Sequence, residues 1–165
     1  MDFGNLRGKK MSENNILDVM INDHRRLEKF LDEFEANIDK EYSLMRESFN
    51  KFEWELEKHL FTEEKAIFTL YNPEDVTGGY KMLPELTNQH NFLVNKLDNW
   101  RKDIRNNRKI EGFYEFKKFL IKHREFEEKE VYPRLNESLD EAQKKQIINR
   151  IKEITYNKPA NYIKQ

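Results

Sequence analysis

The sequence predicts an all-α protein, an up-down-up-down four-helix bundle with an additional short helix at its C-terminal end. Apolar residues recur at steps of three, four and seven along four long segments, and this is the period of one helical face. The connections between these segments are short, and no segment shows the period-two alternation that indicates a β-strand. A chain of 165 residues is long enough to bury one core of this kind.

The first two helices are predicted by their apolar stripes. Helix one begins near Ile16, with Asn14 or Asn15 as its N-cap. Its stripe consists of Met20, Leu27, Leu31, Phe34 and Ile38. Helix two is predicted over about residues 41–71, where Asn72 and Pro73 end it. Its stripe consists of Phe49, Phe52, Leu56, Leu60, Ala66, Ile67 and Leu70.

The third helix is predicted to follow a loop at residues 75–79, with Pro84 in its first turn and its end near Arg105. Its stripe consists of Leu83, Leu86, Leu93, Val94, Leu97, Trp100 and Ile104. A fourth helix is predicted over about residues 111–134, bent or ended by Pro133. The sequence Ser138-Leu-Asp-Glu141 is typical of a capping box and predicts a fifth helix that ends near Ile154.

This pattern predicts one folded domain over residues 14–156, between a flexible N-terminal segment (1–13) and a loose tail (157–165). The first residues lack the apolar stretch of a signal peptide, and no apolar run has the length of a membrane span. We therefore expect a cytoplasmic protein that does not associate with a membrane.

Composition excludes several classes of function. Lys and Arg number 30 and Asp and Glu number 31, so the chain lacks the basic excess of a nucleic-acid-binding protein. Cysteine is absent, which excludes disulfides, iron–sulfur clusters, Cys-ligated zinc and thiol chemistry. The absence of cysteine also fits a reducing compartment.

The chain has four histidines, and each predicted helix contains one of them within its apolar stripe. They are His24, His59, His90 and His123. Two of these begin similar phrases, His-Leu-Phe-Thr-Glu-Glu at residues 59–64 and His-Arg-Glu-Phe-Glu-Glu at residues 123–128. Glu63 and Glu127 stand four residues after their histidines and therefore share the same helical faces. A single inward histidine is usually a core residue, but four of them with two inward glutamates predict a metal site.

The number and type of these side chains indicate which metals they would bind. Buried ionised carboxylates are unfavourable unless they are paired or coordinate a metal, and the stripes offer few inward Lys or Arg. Six ligands are too many for one tetrahedral zinc, but they suit two ions with two imidazoles each and two bridging carboxylates. Iron is the leading choice, with manganese or zinc as substitutes. The Glu-x-x-His motif of ferritin-like bundles and the His-Glu-x-x-His motif of zinc proteases are both absent.

Four motifs together resemble those of the hemerythrin-like, or HHE cation-binding, domain over residues 16–135. They are Asn22-Asp-His-Arg-Arg-Leu27, His59-Leu-Phe-Thr-Glu-Glu64, Asn88-Gln-His90 and His123-Arg-Glu-Phe-Glu-Glu-Lys-Glu-Val-Tyr-Pro133. The resemblance implies the iron ligands His24, His59, Glu63, His90, His123 and Glu127. In this set Glu63 and Glu127 would bridge two irons. Val94 stands where oxygen-carrying hemerythrins have a further histidine, which argues against simple reversible oxygen storage.

The resemblance implies a non-haem di-iron protein that binds O2, NO or peroxide, or that senses iron or redox state. One alternative is a di-iron enzyme, such as a peroxidase, an oxidase or a factor that repairs iron–sulfur centres. A second alternative is a helical interaction module that uses no metal. The sequence does not choose between a carrier, a sensor and an enzyme, nor between a monomer and a homodimer. A sensor would also need a protein partner, which the sequence does not identify.

Several polar residues near the predicted ligands have open roles. We expect Glu64 and Glu128 to lie at the rim or to accept hydrogen bonds from ligands, and Glu28 to be solvated or to do the same. Tyr71, Tyr80 and Tyr132 are expected to pack as aromatic residues, with donation to a bound oxygen species as the alternative. The fifth helix either covers the bundle or contacts a second subunit.

Overall fold

The structure, a computed structural model, describes residues 15–70 and 78–156, and this part of the chain is helical and without strands, as predicted. The helices are α1 (Ile16–Asn37), α2 (Tyr42–Thr62), α3 (Gly78–Arg105), α4 (Phe113–Phe126), α5 (Tyr132–Ser138) and α6 (Glu141–Tyr156). A π-helical turn (Glu63–Ile67) and a 3-10 turn (Phe68–Leu70) extend α2, and a second π-helical turn (Glu127–Val131) joins α4 to α5. The predicted flexible segment (1–13) and tail (157–165) lie outside the described residues.

Side-chain caps fix where two of the helices begin. The Oδ1 atom of Asn15 accepts a hydrogen bond of 3.0 Å from the backbone N–H of Leu17, so Asn15 is the N-cap of α1. A reciprocal capping box precedes α6, but it joins Asp140 and Gln143 through hydrogen bonds of 2.8 and 2.9 Å. The predicted box at Ser138 was wrong because Ser138 still belongs to α5, where its hydroxyl donates to the carbonyl oxygen of Arg134.

Pro84 lies deeper in its helix than predicted, and Pro133 lies where the fourth predicted helix changes its geometry. α3 begins at Gly78, inside the predicted loop, so Pro84 lies within the helix and not in its first turn. The helix continues past Pro84, whose cost is local, and buries Leu86 two residues later. Pro133 lies in the first turn of α5, directly after the π-helical turn. Proline is common in the first turn of a helix, so Pro133 fits the point where the π-helical turn gives way to α5.

Two apolar clusters form the core, and a polar layer separates them. The first cluster contains Ile16, Met20, Ala66, Ile67, Leu86, Val131, Tyr132, Leu135, Leu139, Ile147, Ile148 and Ile151. The second contains Leu27, Leu31, Phe34, Phe49, Phe52, Leu56, Leu60, Leu93, Leu97, Trp100, Ile104, Ile110 and Phe116. The histidines lie near the border between the two clusters, as on α1, where His24 lies between Met20 and Leu27.

The last helix, α6, packs onto the first apolar cluster. Ile147, Ile148 and Ile151 supply its buried face, and the helix contacts α1 and the π-helical turn after α2. Of the two roles considered for the fifth predicted helix, the structure therefore shows the covering role. Among the described residues, no helix combines the length and the apolar character needed to cross a membrane.

Candidate metal centre

The polar layer brings together the six residues singled out from the sequence. They are His24, His59, Glu63, His90, His123 and Glu127, and all six are buried. Both carboxylate side chains are fully inaccessible, at 0% exposure. Each of the four long helical segments contributes one imidazole, and the segments that continue from α2 and α4 add the two carboxylates.

The six side chains form two groups of four that share both carboxylates. One group contains His24 and His59, the other contains His90 and His123, and Glu63 and Glu127 belong to both. Within each group the ligand-type atoms lie within 4.8 Å of one another. Two imidazoles and two shared carboxylates per group make an arrangement that can hold two metal ions side by side.

Each carboxylate reaches both groups. Glu127 does so with separate oxygens, since its Oε2 lies 3.1 Å from Nε2 of His24 and its Oε1 lies 2.8 Å from Nε2 of His123. Glu63 uses a single oxygen, Oε2, which lies 3.5 Å from Nε2 of His59 and 3.2 Å from Nε2 of His90. Both carboxylates are therefore placed to bridge.

The atoms that converge in this layer lack ordinary hydrogen-bond partners. Four buried atoms make no hydrogen bond of ordinary geometry and meet only in the ion pairs given above: Glu63 Oε2, Glu127 Oε1, His90 Nε2 and His123 Nε2. Buried polar atoms are almost always satisfied, so a set of unsatisfied atoms directed at one place fits a bound cation. Nε2 of His24 and Nε2 of His59 also lie 3.2 Å apart, a contact that requires a proton or a metal ion between them.

Each imidazole uses its other nitrogen, Nδ1, to contact a side-chain oxygen outside the cluster. The pairs and their distances are His24–Glu128 (2.8 Å), His59–Asp23 (2.7 Å), His90–Glu64 (3.1 Å) and His123–Gln89 (2.6 Å). Carboxylate and amide oxygens accept, so Nδ1 carries the proton and Nε2 is the nitrogen free to bind a metal. Glu64 and Glu128 thus accept hydrogen bonds, one of the roles considered for them.

The two π-helical turns begin at the two shared carboxylates. Both turns have the sequence Glu-Glu-Lys at their start, at residues 63–65 and 127–129. A π-helical turn widens the helix, and here the first glutamate faces the cluster while the second reaches a histidine on another helix. Turns of this kind are frequent at functional sites.

Tyr132 contacts the cluster as well as packing in the core. Its ring is buried in the first apolar cluster, as expected, but its hydroxyl donates to Oε1 of Glu63 and lies 3.3 Å from Oε2 of Glu127. Burial and the two carboxylates raise the pKa of the phenol well above its usual range, so it stays protonated. Tyr132 stands five residues after Glu127, a spacing that shares a face only across a π-helical turn. Tyr71 and the side chain of Tyr80 lie outside the described residues.

Glu28 lies apart from the cluster. Its side chain is 41% exposed and forms an ion pair with Arg124, in agreement with the expectation of a solvated residue. Val94 packs beside the second apolar cluster, so this position on α3 adds no imidazole to the metal-type side chains.

The charges of the cluster stabilise one another. Burial alone would raise the pKa of Glu127, but the imidazoles of His123, His24 and His90 hold it well below its usual range. Burial would lower the pKa of His59, yet Glu63 and Asp23 raise it to about 9. The pKa of His90 rises to about 10 despite burial, because of Glu127 and Glu63. The carboxylates are therefore ionised, and without metal the imidazoles hold protons that a metal must displace.

A narrow apolar cavity of about 30 Å³ lies between α1 and α4 and ends at the cluster. Its lining consists of His24, Leu27, Glu28, Leu31, His59, Leu120, Ile121, His123 and Arg124. A cavity of this volume has room for a molecule about the size of water. Three of the imidazoles line this cavity.

The geometry defines a helical protein with a buried histidine and carboxylate cluster that is compatible with metal binding. The model of the hemerythrin HHE cation-binding domain matches residues 15–135. The chain therefore belongs to the hemerythrin HHE cation-binding family, which confirms the resemblance carried by the four motifs. No curated protein and no solved structure matches the chain significantly.

Proposed function

We propose that this chain is a non-haem di-iron protein that binds O2, NO or peroxide, or senses iron or redox state, at the buried cluster. His24 and His59 would hold one ion, His90 and His123 the other, and Glu63 and Glu127 would bridge them. The observation that carries the proposal is the pair of four-residue groups that share both carboxylates. Manganese or zinc would be substitutes in isolated protein.

The donor set supports iron over a single zinc ion. Each group offers two imidazole nitrogens and two carboxylate oxygens, a mixture that suits iron and leaves coordination positions for an external ligand. Bound iron would supply Lewis acidity and one-electron redox chemistry. The chain's own contribution is to fix each Nε2 toward the cluster through the Nδ1 contacts and to keep bulk water out.

We also propose that the long helices form an up-down-up-down bundle, in one domain over residues 14–156. Support comes from the order of the apolar clusters along the chain. α1 and α3 pass from the first cluster to the second, whereas α2 and α4, with the turns that extend them, pass from the second cluster to the first. This alternation is the order expected of neighbouring antiparallel helices.

The apolar cavity supports a small uncharged ligand. Leucine and isoleucine side chains line the approach, while the histidines stand at its inner end. An apolar wall of this kind favours a neutral diatomic molecule over an ion, because ions lose hydration that the wall cannot replace. O2 and NO meet this condition.

The test is an anaerobic titration of the iron-loaded protein with O2 and with NO, followed by optical spectroscopy. The proposal expects saturable spectral changes with both gases that are absent from the metal-free protein. Loaded protein that shows no spectral change with either gas would contradict ligand binding. If the metal-free protein in strong chelator is as stable as the iron-loaded protein, the result favours the metal-free interaction module.

A di-iron enzyme is the second candidate, and Tyr132 favours it. Its buried hydroxyl lies at the cluster and stays protonated, so it could donate a hydrogen bond to a bound peroxide. The iron-loaded protein would then consume peroxide through many cycles in the presence of an electron donor. Stable binding without turnover would favour the carrier or sensor.

A further inference from the structure

The cluster is built from two similar halves, α1–α2 and α3–α4, that differ in charge at one of the side chains in direct contact with it. The corresponding pairs are His24 and His90, His59 and His123, Glu63 and Glu127, Glu64 and Glu128, and Asp23 and Gln89. In the last pair alone, a carboxylate in one half corresponds to a neutral amide in the other.

The contacts repeat in the two halves as closely as the residues do. Asp23 accepts from Nδ1 of His59 at 2.7 Å, and Gln89 accepts from Nδ1 of His123 at 2.6 Å. Each of these acceptors directly precedes the first histidine of its own half. The difference between Asp23 and Gln89 is therefore a difference of charge at equivalent positions.

The glutamates that cross between the halves add to this difference. Glu128 contacts His24 at 2.8 Å and is 20% exposed, whereas Glu64 contacts His90 at 3.1 Å and is 46% exposed. Solvent weakens the field of the more exposed carboxylate. The group of His24 and His59 thus has two short contacts to carboxylates, one for each imidazole.

The group of His90 and His123 is supported more weakly. The amide N–H of Gln89 donates to Glu85 at 3.0 Å. The carboxylate on this side of His123 is therefore separated from the imidazole by Gln89, and it is exposed. Hydrogen bonds to an ionised acceptor are about twice as strong as neutral ones. A carboxylate at Nδ1 also makes the imidazole a stronger metal ligand.

Positive charges near Asp23 do not cancel this advantage. Lys58 and Arg26 line the same surface pocket as Asp23, but both are paired with the buried carboxylate of Glu55. Asp23 itself contacts His59 at 2.7 Å. Its negative charge is therefore directed at the imidazole.

We propose that the chain binds its two ions unequally and in order, with the first at the His24–His59 group, and that Asp23 and Gln89 set this order. The inference rests on the proposed function, that the cluster holds two ions. The second position then fills only when free metal is abundant, so the chain passes through a form with one ion. The fraction of chains with an ion at the His90–His123 group then follows the concentration of free metal.

The first test follows imidazole NMR signals of the wild-type protein as Zn²⁺, a redox-inert probe, is added to the metal-free form. With one equivalent of Zn²⁺, the signals of His24 and His59 are expected to shift, and those of His90 and His123 to follow with the second equivalent. Equal shifts of all four imidazoles during the first equivalent would overturn the inference. Because this test uses the wild type, it does not depend on the folding of a variant.

The second test exchanges the acceptors and measures stepwise Fe²⁺ affinity by anaerobic calorimetry. Asp23→Asn is expected to weaken the first step about tenfold or more, in line with the usual effect of losing such a contact. The double variant Glu85→Gln with Gln89→Glu moves the carboxylate next to His123 without changing net charge, and is expected to strengthen the second step by a similar factor. Glu85→Gln alone is its matched control.

The outcomes separate the two proposals. If neither Asp23→Asn nor the double variant changes the difference in affinity between the two binding steps, the proposed order of binding is overturned. A two-ion site would still stand. Fewer than two ions bound at saturation in the wild type would instead overturn the proposed function. We expect the Fe²⁺ affinities of the two steps to become more similar in the double variant, but not in Glu85→Gln.

Discussion

The hydroxyl of Tyr132 decides which oxygen of Glu63 faces the histidines. It donates to Oε1 of Glu63, which leaves Oε2 between His59 and His90. Without this donor the carboxylate would have a buried oxygen with no partner and more freedom to rotate. Tyr132 therefore positions a carboxylate that belongs to both groups.

Replacing Tyr132 with Phe keeps the ring in the core and removes only this hydrogen bond. We expect the free energy of unfolding to fall by about 1–3 kcal/mol, the usual cost of an unsatisfied buried polar group. Tyr114→Phe, at a position 73% exposed, is the matched control and should change little. Chemical denaturation measures both variants, and equal stability of Tyr132→Phe and wild type would show that the contact does not contribute.

At the residue scale, the sequence predicted the residues that lie on apolar stripes and missed those that depend on distant contacts. The six cluster residues were found because polar side chains at core positions stand out. Asp23 and Gln89 gave no such signal, since their histidine partners lie 36 and 34 residues away along the chain. Such pairs become visible only when the helices are packed.

Among the elements, the two π-helical turns determine which side chains of their segments face the cluster. A helix of ordinary pitch separates Glu127 and Tyr132 by more than one turn and points them in different directions. The wider turn at Glu127–Val131 brings both toward the cluster. No local propensity distinguishes a π-helical turn from an α-helical one, so the sequence predicted continuous helices here.

Helix bounds were predicted well where caps or apolar stripes were unambiguous and poorly where competing signals overlapped. The start of α1 follows directly from Asn15. At residues 138–143 two capping boxes competed, and the one at Asp140 was formed. The start of α3 was missed because Gly78 and Gly79 suggested a loop, whereas both lie in the helix.

The cavity between α1 and α4 is the proposed route by which a small ligand reaches the cluster. Leu120→Trp would fill it, since Leu120 lines the cavity on α4. We expect NO to associate with the iron-loaded variant about tenfold more slowly or worse, with iron content unchanged. Leu44→Trp, at a position 45% exposed and outside the cavity lining, is the control. Stopped-flow spectroscopy measures the rate, and an unchanged rate would exclude this route.

The packing of α6 onto the first apolar cluster also belongs to the scale of the helices. Ile147 is fully buried in the first apolar cluster, and truncation to Ala would remove apolar contacts and leave a cavity. We expect Ile147→Ala to lower the free energy of unfolding by about 2–5 kcal/mol. Exposed Lys145→Ala should have little effect. Denaturant unfolding of the metal-free protein measures this, and a change below about 1 kcal/mol would mean that α6 adds little to the core.

For the whole molecule, pH should act differently on the metal-free and the metal-loaded protein. Without metal, the pKa values of His59 and His90 are raised to about 9 and about 10. A raised pKa gives stability that is complete below the unfolded value of 6.5 and is lost as pH rises through the folded value. The metal-free protein should therefore lose stability between about pH 6.5 and 10.

Metal offsets this dependence because it competes with the same protons. Metal affinity rises with pH as the imidazoles lose their protons, so the extra stability of the loaded protein should grow over the same range. Acid should release the metal and remove that extra stability together. Chemical denaturation from pH 5 to 9, with and without iron, measures both curves, and parallel curves would contradict the account.

The central claim is that one chain holds two iron ions through carboxylates that belong to both positions. The direct measurement is the iron content per chain after anaerobic reconstitution and removal of free iron, for wild type, Glu127→Gln and the control Glu125→Gln. Glu125 is exposed and pairs with Lys129, so its variant should behave as wild type. The account predicts two irons in wild type and control and a loss at both positions in Glu127→Gln. One iron or fewer in wild type, or two irons in Glu127→Gln, would contradict it.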